Sequence, residues 1–294
     1  MRWKAELTAG LIAVAGLFAQ AGDNITLQDD RILWLDTFEC SDGEFGWDVK
    51  GLSPTRESLG LRLNLDDEKG AAPTMSCNIP LRLADVRDEV IYSQIYVSEV
   101  GGDKKTMWHL PGTGAGYNPG HHPGLWTVPF KMKPTVAKEY YRVSFVSPGY
   151  VTLRFIRLVT GDTPLPGSAL WQRDGAPDWT RPICKGDSLR IIANLGSCDM
   201  APTVNVVGSS FNFYQPVDLA GAGGFTTLTL NDSGLDGDMT SGDGLWTATV
   251  TFGGKKAYKA GVITAAVRFG SGESDVTYAK AAWPFQADAV AAKK

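Results

Sequence analysis

The chain has 294 residues, a formal net charge of −4, 43 % hydrophobic residues and 20 % charged residues. These proportions are those of a globular protein long enough for two ordinary domains, and they exclude a fibrous or wholly disordered chain. No basic block is present, which argues against nucleic-acid binding through counterion release.

The chain opens with Arg2 and Lys4, then the apolar run Leu7–Phe18, then the small-x-small triplet Ala19-Gln20-Ala21. That order predicts a signal peptide over residues 1–21, helical in its apolar part, with a mature start at Gly22. The run falls short of the ~20 apolar residues that span a bilayer. The competing reading is a short amphipathic or anchoring helix. No other stretch is apolar enough to cross a membrane, so no membrane insertion is expected once the leader is removed. The expected location is extracellular or on a cell surface.

The four cysteines, Cys40, Cys77, Cys184 and Cys198, agree with export. Four cysteines allow three connectivities, and all three stay open. The local pairing, Cys40 with Cys77 and Cys184 with Cys198, is the simplest, because it staples each half by itself. No pair has C-x-x-C spacing, so neither a zinc ribbon nor a redox pair is suggested.

Residues 22–160 read as a run of short strands. Leu59, Leu61, Leu63 and Leu65 alternate with Gly60, Arg62 and Asn64. Val90–Val100 is rich in β-branched and aromatic residues. Tyr141, Val143 and Phe145 alternate with polar residues, and Val151, Leu153 and Phe155 follow the turn Ser147-Pro148-Gly149. Period-2 alternation marks half-buried strands, and many short strands with Gly/Pro turns mark a sandwich. Only Leu81–Glu89 suggests one or two helical turns. One long interruption, Met107–Trp126, holds His109, His121 and His122 with Trp108, Tyr117 and Trp126. Long loops of this kind are commonly functional, and aromatic faces with polar tips suit a glycan or a protein surface. A structural loop packed on the sandwich is the alternative. A metal bound by His121 and His122 is disfavoured, since neighbours in an extended chain point oppositely.

Residues 161–184 are rich in Pro, Gly and Asp and read as a linker. The strand pattern restarts over 185–287, beginning with Leu189, Ile191, Ala193 and Leu195. A small-residue tail, 288–294, closes the chain.

Within the second half lies Asn231–Trp246, NDSGLDGDMTSGDGLW. Asp232, Asp236, Asp238 and Asp243 are crowded here, separated by glycines. Such carboxylates repel one another, and a hard cation with oxygen ligands relieves that. Against the EF-hand pattern Asp232, Asp236, Asp238 and Asp243 fall at positions 1, 5, 7 and 12. The flanks, however, alternate as strands: Leu228 and Leu230 before, and Trp246, Ala248, Val250 and Phe252 after. The loop thus joins strands and not helices, and Ca²⁺ is the expected ion; a solvated turn without an ion is the alternative.

This stretch resembles the Asp/Gly-rich loop of Ig-like modules in secreted bacterial proteins. The first half is similar, in architecture alone, to carbohydrate-binding modules and other secreted jelly rolls. The two resemblances imply an all-β chain of two β-sandwich domains, an N-terminal jelly roll and a C-terminal Ig-like domain. They imply a non-enzymatic binding or adhesion protein that recognises a glycan or surface partner. Two other readings stand beside it: a self-assembling structural subunit of an extracellular filament, layer or virion, and a polysaccharide-active enzyme. Gly186-Asp187-Ser188-Leu189 spells the nucleophile block of GDSL esterases, but no histidine follows it. No G-x-S-x-G elbow, H-E-x-x-H or P-loop is present.

Overall fold

The computed structural model describes residues 25–38, 47–65, 74–79, 91–101, 108–109, 116–117, 124–130, 139–145, 149–173, 183–210, 224–253, 260–269 and 276–286. The leader, Cys40, residues 81–89, His121, His122 and the tail 288–294 lie outside them. The described residues form strands and turns with no helix, so the described part of the chain is all-β. In the first half the strands are β1 (Ile32–Asp36), β2 (Asp48–Lys50), β3 (Leu52–Glu57), β4 (Gly60–Leu65), β5 (Thr74–Ile79) and β6 (Ile91–Gly101). There follow β7 (Trp108–His109), β8 (Gly116–Tyr117), β9 (Gly124–Phe130), β10 (Glu139–Phe145) and β11 (Gly149–Thr160). The second half adds β12 (Ala169–Gln172), β13 (Ser188–Asn194), β14 (Thr203–Ser210), β15 (Phe225–Thr229), β16 (Leu245–Thr251), β17 (Ala260–Phe269) and β18 (Val276–Gln286).

These strands make three sheets. A ten-stranded sheet has the order β15-β14-β17-β18-β9-β6-β11-β4-β3, with β1 also paired to β11. A five-stranded sheet has the order β2-β5-β10-β7-β8, and a three-stranded sheet the order β12-β13-β16. The long sheet runs through both halves of the chain. Its join is the parallel pair β9 and β18, with Leu125 opposite Ala279 and Thr127 opposite Ala281. Every other strand pair among the described residues is antiparallel.

The alternation seen in the sequence becomes burial. Leu61 and Leu63 are 1 % and 0 % exposed, and Leu189, Ile191 and Ala193 are fully buried. Each large side chain so buried contributes roughly 1.5–3 kcal/mol. One core cluster combines Leu61, Leu63, Ile95, Val128 and Leu153 of the long sheet with Met75 and Ile79 of β5. A second combines Trp171, Leu189, Ile191, Val250 and Phe252 of the three-stranded sheet with Val204, Val206, Ile263 and Val267 of the long one. A third, smaller cluster joins Tyr92 and Val159 to Leu165, Leu170 and Ile192.

Two expectations change. The stretch expected as linker contains β12, whose four residues are all buried. Among its described residues, the bends and turns fall over 161–167, ahead of β12. The local pairing of Cys184 with Cys198, the simplest of the three, is not formed; both are free thiols, as is Cys77. Cys184 precedes β13 and Cys198 follows it. At about 3.3 Å per residue that strand alone is about 20 Å long, beyond the ~7 Å limit for a disulfide.

Candidate metal centre

The loop Asn231–Gly244 crosses from the long sheet, which β15 ends, to the three-stranded sheet, which β16 begins. Its base is a closed bridge in which Asn231 and Thr247 exchange backbone hydrogen bonds of 2.9 and 2.8 Å. Leu230, fully buried, fixes the entry. The flanks are therefore strands, as the sequence predicts, and they belong to different sheets.

The carboxylates organise the loop backbone. Asp232 accepts from the N–H of Gly242 at 2.9 Å and of Gly244 at 3.1 Å, one on each oxygen. Asp238 accepts from Gly234 N–H at 2.6 Å and from Thr240 N–H at 3.4 Å. Asp243 accepts from Leu245 N–H at 2.9 Å. One ligand oxygen from each of Asp232, Asp238 and Asp243 lies within 4.8 Å of the others. Asp238 is buried, Asp232 half-buried and Asp243 exposed, so the group opens to solvent on one side.

Asp236 is not part of this group. It adopts a positive φ of 52° ahead of Gly237 at 97°, and its side chain is exposed. Its place is the turn that returns Asp238 to the centre. Spacing alone does not separate it from the other three.

The group offers a metal ion three carboxylate oxygens at close range. Oxygens bound to one Ca²⁺ at 2.3–2.6 Å lie at most about 5 Å apart, so the 4.8 Å limit is compatible with a shared oxygen-ligated cation. All three donors are carboxylate oxygens, each with lone pairs left after its backbone bonds. None of the three forms a salt bridge with a Lys or Arg of the described residues. The charge of Asp232 reaches Cys198, whose thiol is held above its ordinary value by burial first and then by Asp199 and Asp232.

Two residues that spacing does not single out root the loop. Arg190 of β13 donates to the Gly237 carbonyl and to Gln172 Oε1, both at 2.5 Å. Gly196 accepts from the Trp246 indole N–H at 2.8 Å. Neither carries a signal in the sequence.

The aromatic stretch is built differently from its expectation as an unstructured loop. Trp108 and His109 form β7 and pair with Tyr117 and Gly116 of β8, while Trp108 also faces Phe145 in register. Trp126 lies in β9, 4 % exposed in the first core cluster. It is a core residue and not a ligand platform, since β9 is covered on both faces and Leu125 to Val128 are all buried. The chain matches no family model and no curated protein.

Proposed function

We propose that the protein is a non-enzymatic, secreted or cell-surface binding protein made of two β-sandwiches, stiffened by Ca²⁺ held by Asp232, Asp238 and Asp243. The observation that carries this reading is the carboxylate group: three acids from one loop, within 4.8 Å, with no paired cation among the described residues. Two core clusters, each drawn from two sheets, support the sandwich pair. The jelly-roll and Ig-like resemblances supply the fold types. The ion's role is to fasten the crossing between the two sheets that enclose the second core. Recognition of a glycan or surface protein falls to the stretch around Trp108, His109, Tyr117, His121 and His122, with Trp126 withdrawn.

Melting of the purified protein tests the ion. Ca²⁺ at about ten times its Kd raises stability by roughly 1.4 kcal/mol, and Asp238→Asn removes that gain. An identical melting temperature in EDTA and in excess CaCl₂ overturns the ion. A glycan array tests the partner: binding lost in Trp108→Ala supports a glycan, and no binding to any polysaccharide refutes it.

A further inference from the structure

The two ends of the long sheet are not alike. One is β3, whose sequence LSPTRE carries Pro54, Arg56 and Glu57. Proline and charge are the usual devices that block an edge strand from pairing with another chain. The other end is β15, FTTLT, which has no charge and no proline, and pairs with β14 in unbroken register. Among the described residues no strand pairs with its outer side.

The hydrogen bonds fix which backbone groups face outward. Gly208 N–H donates to the Gly224 carbonyl and Leu230 N–H to the Pro202 carbonyl, both at 2.9 Å. Bonded pairs recur every second residue in an antiparallel ladder. Residues 224, 226, 228 and 230 therefore turn their N–H and C=O groups to β14. Phe225, Thr227 and Thr229 turn theirs away from it, to the open edge. On the sheet face beside this edge, Phe225 is 54 % exposed and its register partner Val207 is 45 % exposed. A pair of large apolar side chains thus stands in the open next to a row of backbone groups with no strand partner among the described residues.

We infer that β15 pairs antiparallel with β15 of a second copy, which makes a closed dimer with one sheet running through both chains. The outward groups at 225, 227 and 229 are symmetric about Thr227. A two-fold axis there sets Thr227 against Thr227 and Phe225 against Thr229 of the second copy. Each outward N–H then meets an outward carbonyl, and each such pair makes two hydrogen bonds. No like charges are brought together, because the strand has none. Phe225 extends over the second copy's strand and loses water on that side. The contact uses the same patch on both copies, so it closes at two and does not propagate.

The test is the mass of the purified protein by light scattering and sedimentation, with the variants Thr227→Pro and Thr227→Lys. The Thr227 N–H faces outward, so proline in both copies leaves the ladder to β14 intact and removes both central hydrogen bonds of the contact. Lysine places two like charges at the axis. The expected result is twice the single-chain mass for the unaltered protein and the single-chain mass for both variants. Without any variant, amide exchange at Phe225, Thr227 and Thr229 slows as protein concentration rises. A single-chain mass at every concentration, open-ended polymers, or exchange at those three amides that ignores concentration overturns the proposal.

Discussion

The indole N–H of Trp171 donates to the backbone carbonyl of Ala281 at 3.2 Å, which ties β12 of the three-stranded sheet to β18 of the long sheet. Trp171 is 1 % exposed and sits in the second core cluster, while its neighbour Leu170 faces the third. One residue thus anchors the layer that closes the second core. Trp171→Ala is expected to cost about 3–5 kcal/mol, the range for large aromatic truncations. Trp171→Phe keeps most of the packing and loses the bond, at about 1–2 kcal/mol. Urea denaturation of the two variants measures both losses, and equal losses would show that the bond, and not the packing, dominates.

How far this architecture can be read from the sequence depends on period. Leu61 and Leu63, or Leu189, Ile191 and Ala193, announce their strands because one face is apolar and the other polar. β9 does not, because Leu125, Trp126, Thr127 and Val128 are buried together and leave no alternation. Trp126 therefore reads from sequence as a surface aromatic beside glycines and histidines. The parallel contact of β9 with β18 joins residues far apart in the chain, and no local pattern encodes it. The acidic loop is legible as a group through its composition. The separation of Asp236 from Asp232, Asp238 and Asp243 is a matter of backbone φ, which composition does not carry. The cysteine spacing suggested a staple, but the length of β13 forbids it.

Gly244 and Gly196 meet where the acidic loop joins the turn after β13. A Cβ on Gly244, at φ 80°, would lie 2.8 Å from Gly196 Cα, whereas a Cβ on Gly196, at φ 67°, meets nothing within 4 Å. Both substitutions carry the left-handed penalty of about 1–2 kcal/mol, and only Gly244→Ala adds a backbone clash. Gly244→Ala should therefore lose clearly more stability than Gly196→Ala, by at least about 1 kcal/mol. It should also weaken Ca²⁺ binding, because the Gly244 N–H holds Asp232. Calorimetric melting with and without CaCl₂ checks both.

Cys77 is a free, buried thiol whose pKa is pushed up to about 12 by burial first and then by the charge of Asp36. In the unfolded chain the same group titrates near 9.0. The folded state thus keeps a proton that the unfolded state releases, so this contribution is whole below pH 9 and is lost as pH rises towards 12. The stability difference between the protein and Cys77→Ala should shrink across that window, by at most about 1.4 kcal/mol per pH unit. A thiol reagent at neutral pH should label exposed Cys184 in the native protein and reach Cys77 only on unfolding.

Arg157 is fully buried on the opposite face of β11 from the first core. It donates to Gln94 Oε1 at 2.6 Å and to the Thr26 carbonyl, both neutral acceptors, and its Nη2 has no hydrogen-bond partner among the described residues. Gln94 in turn donates to Thr127 Oγ1 at 3.0 Å, so its amide orientation is fixed. Burial is the main reason that the guanidinium is pulled down to about 10, with Asp29 opposing and Arg31 assisting. Arg157 forms no direct ion pair among the described residues, and a buried charge held only by neutral acceptors and a distant carboxylate adds little net stability. Arg157→Met should be neutral or stabilising by about 1–4 kcal/mol. Gln94→Leu keeps the charge and removes an acceptor, and should cost about 3 kcal/mol. Opposite signs for the two variants in urea denaturation are the expected outcome.

The acidic loop makes a prediction whose sign depends on the ion. Without a cation, Asp232, Asp238 and Asp243 hold three negative charges within 4.8 Å. Asp243 is the exposed member, and its oxygen accepts from Leu245 N–H, a bond that an asparagine oxygen retains. In EDTA, Asp243→Asn should therefore raise stability by up to about 1 kcal/mol through relief of repulsion, discounted for solvent screening. In excess CaCl₂ the same change removes a charged ligand, weakens the ion about tenfold, and costs about 1.4 kcal/mol. Asp236→Asn, outside the group, should leave the Ca²⁺ affinity within about twofold, less than 0.5 kcal/mol. Melting curves of the three proteins in both buffers measure this; a stabilising Asp243→Asn in both would mean that no ion binds.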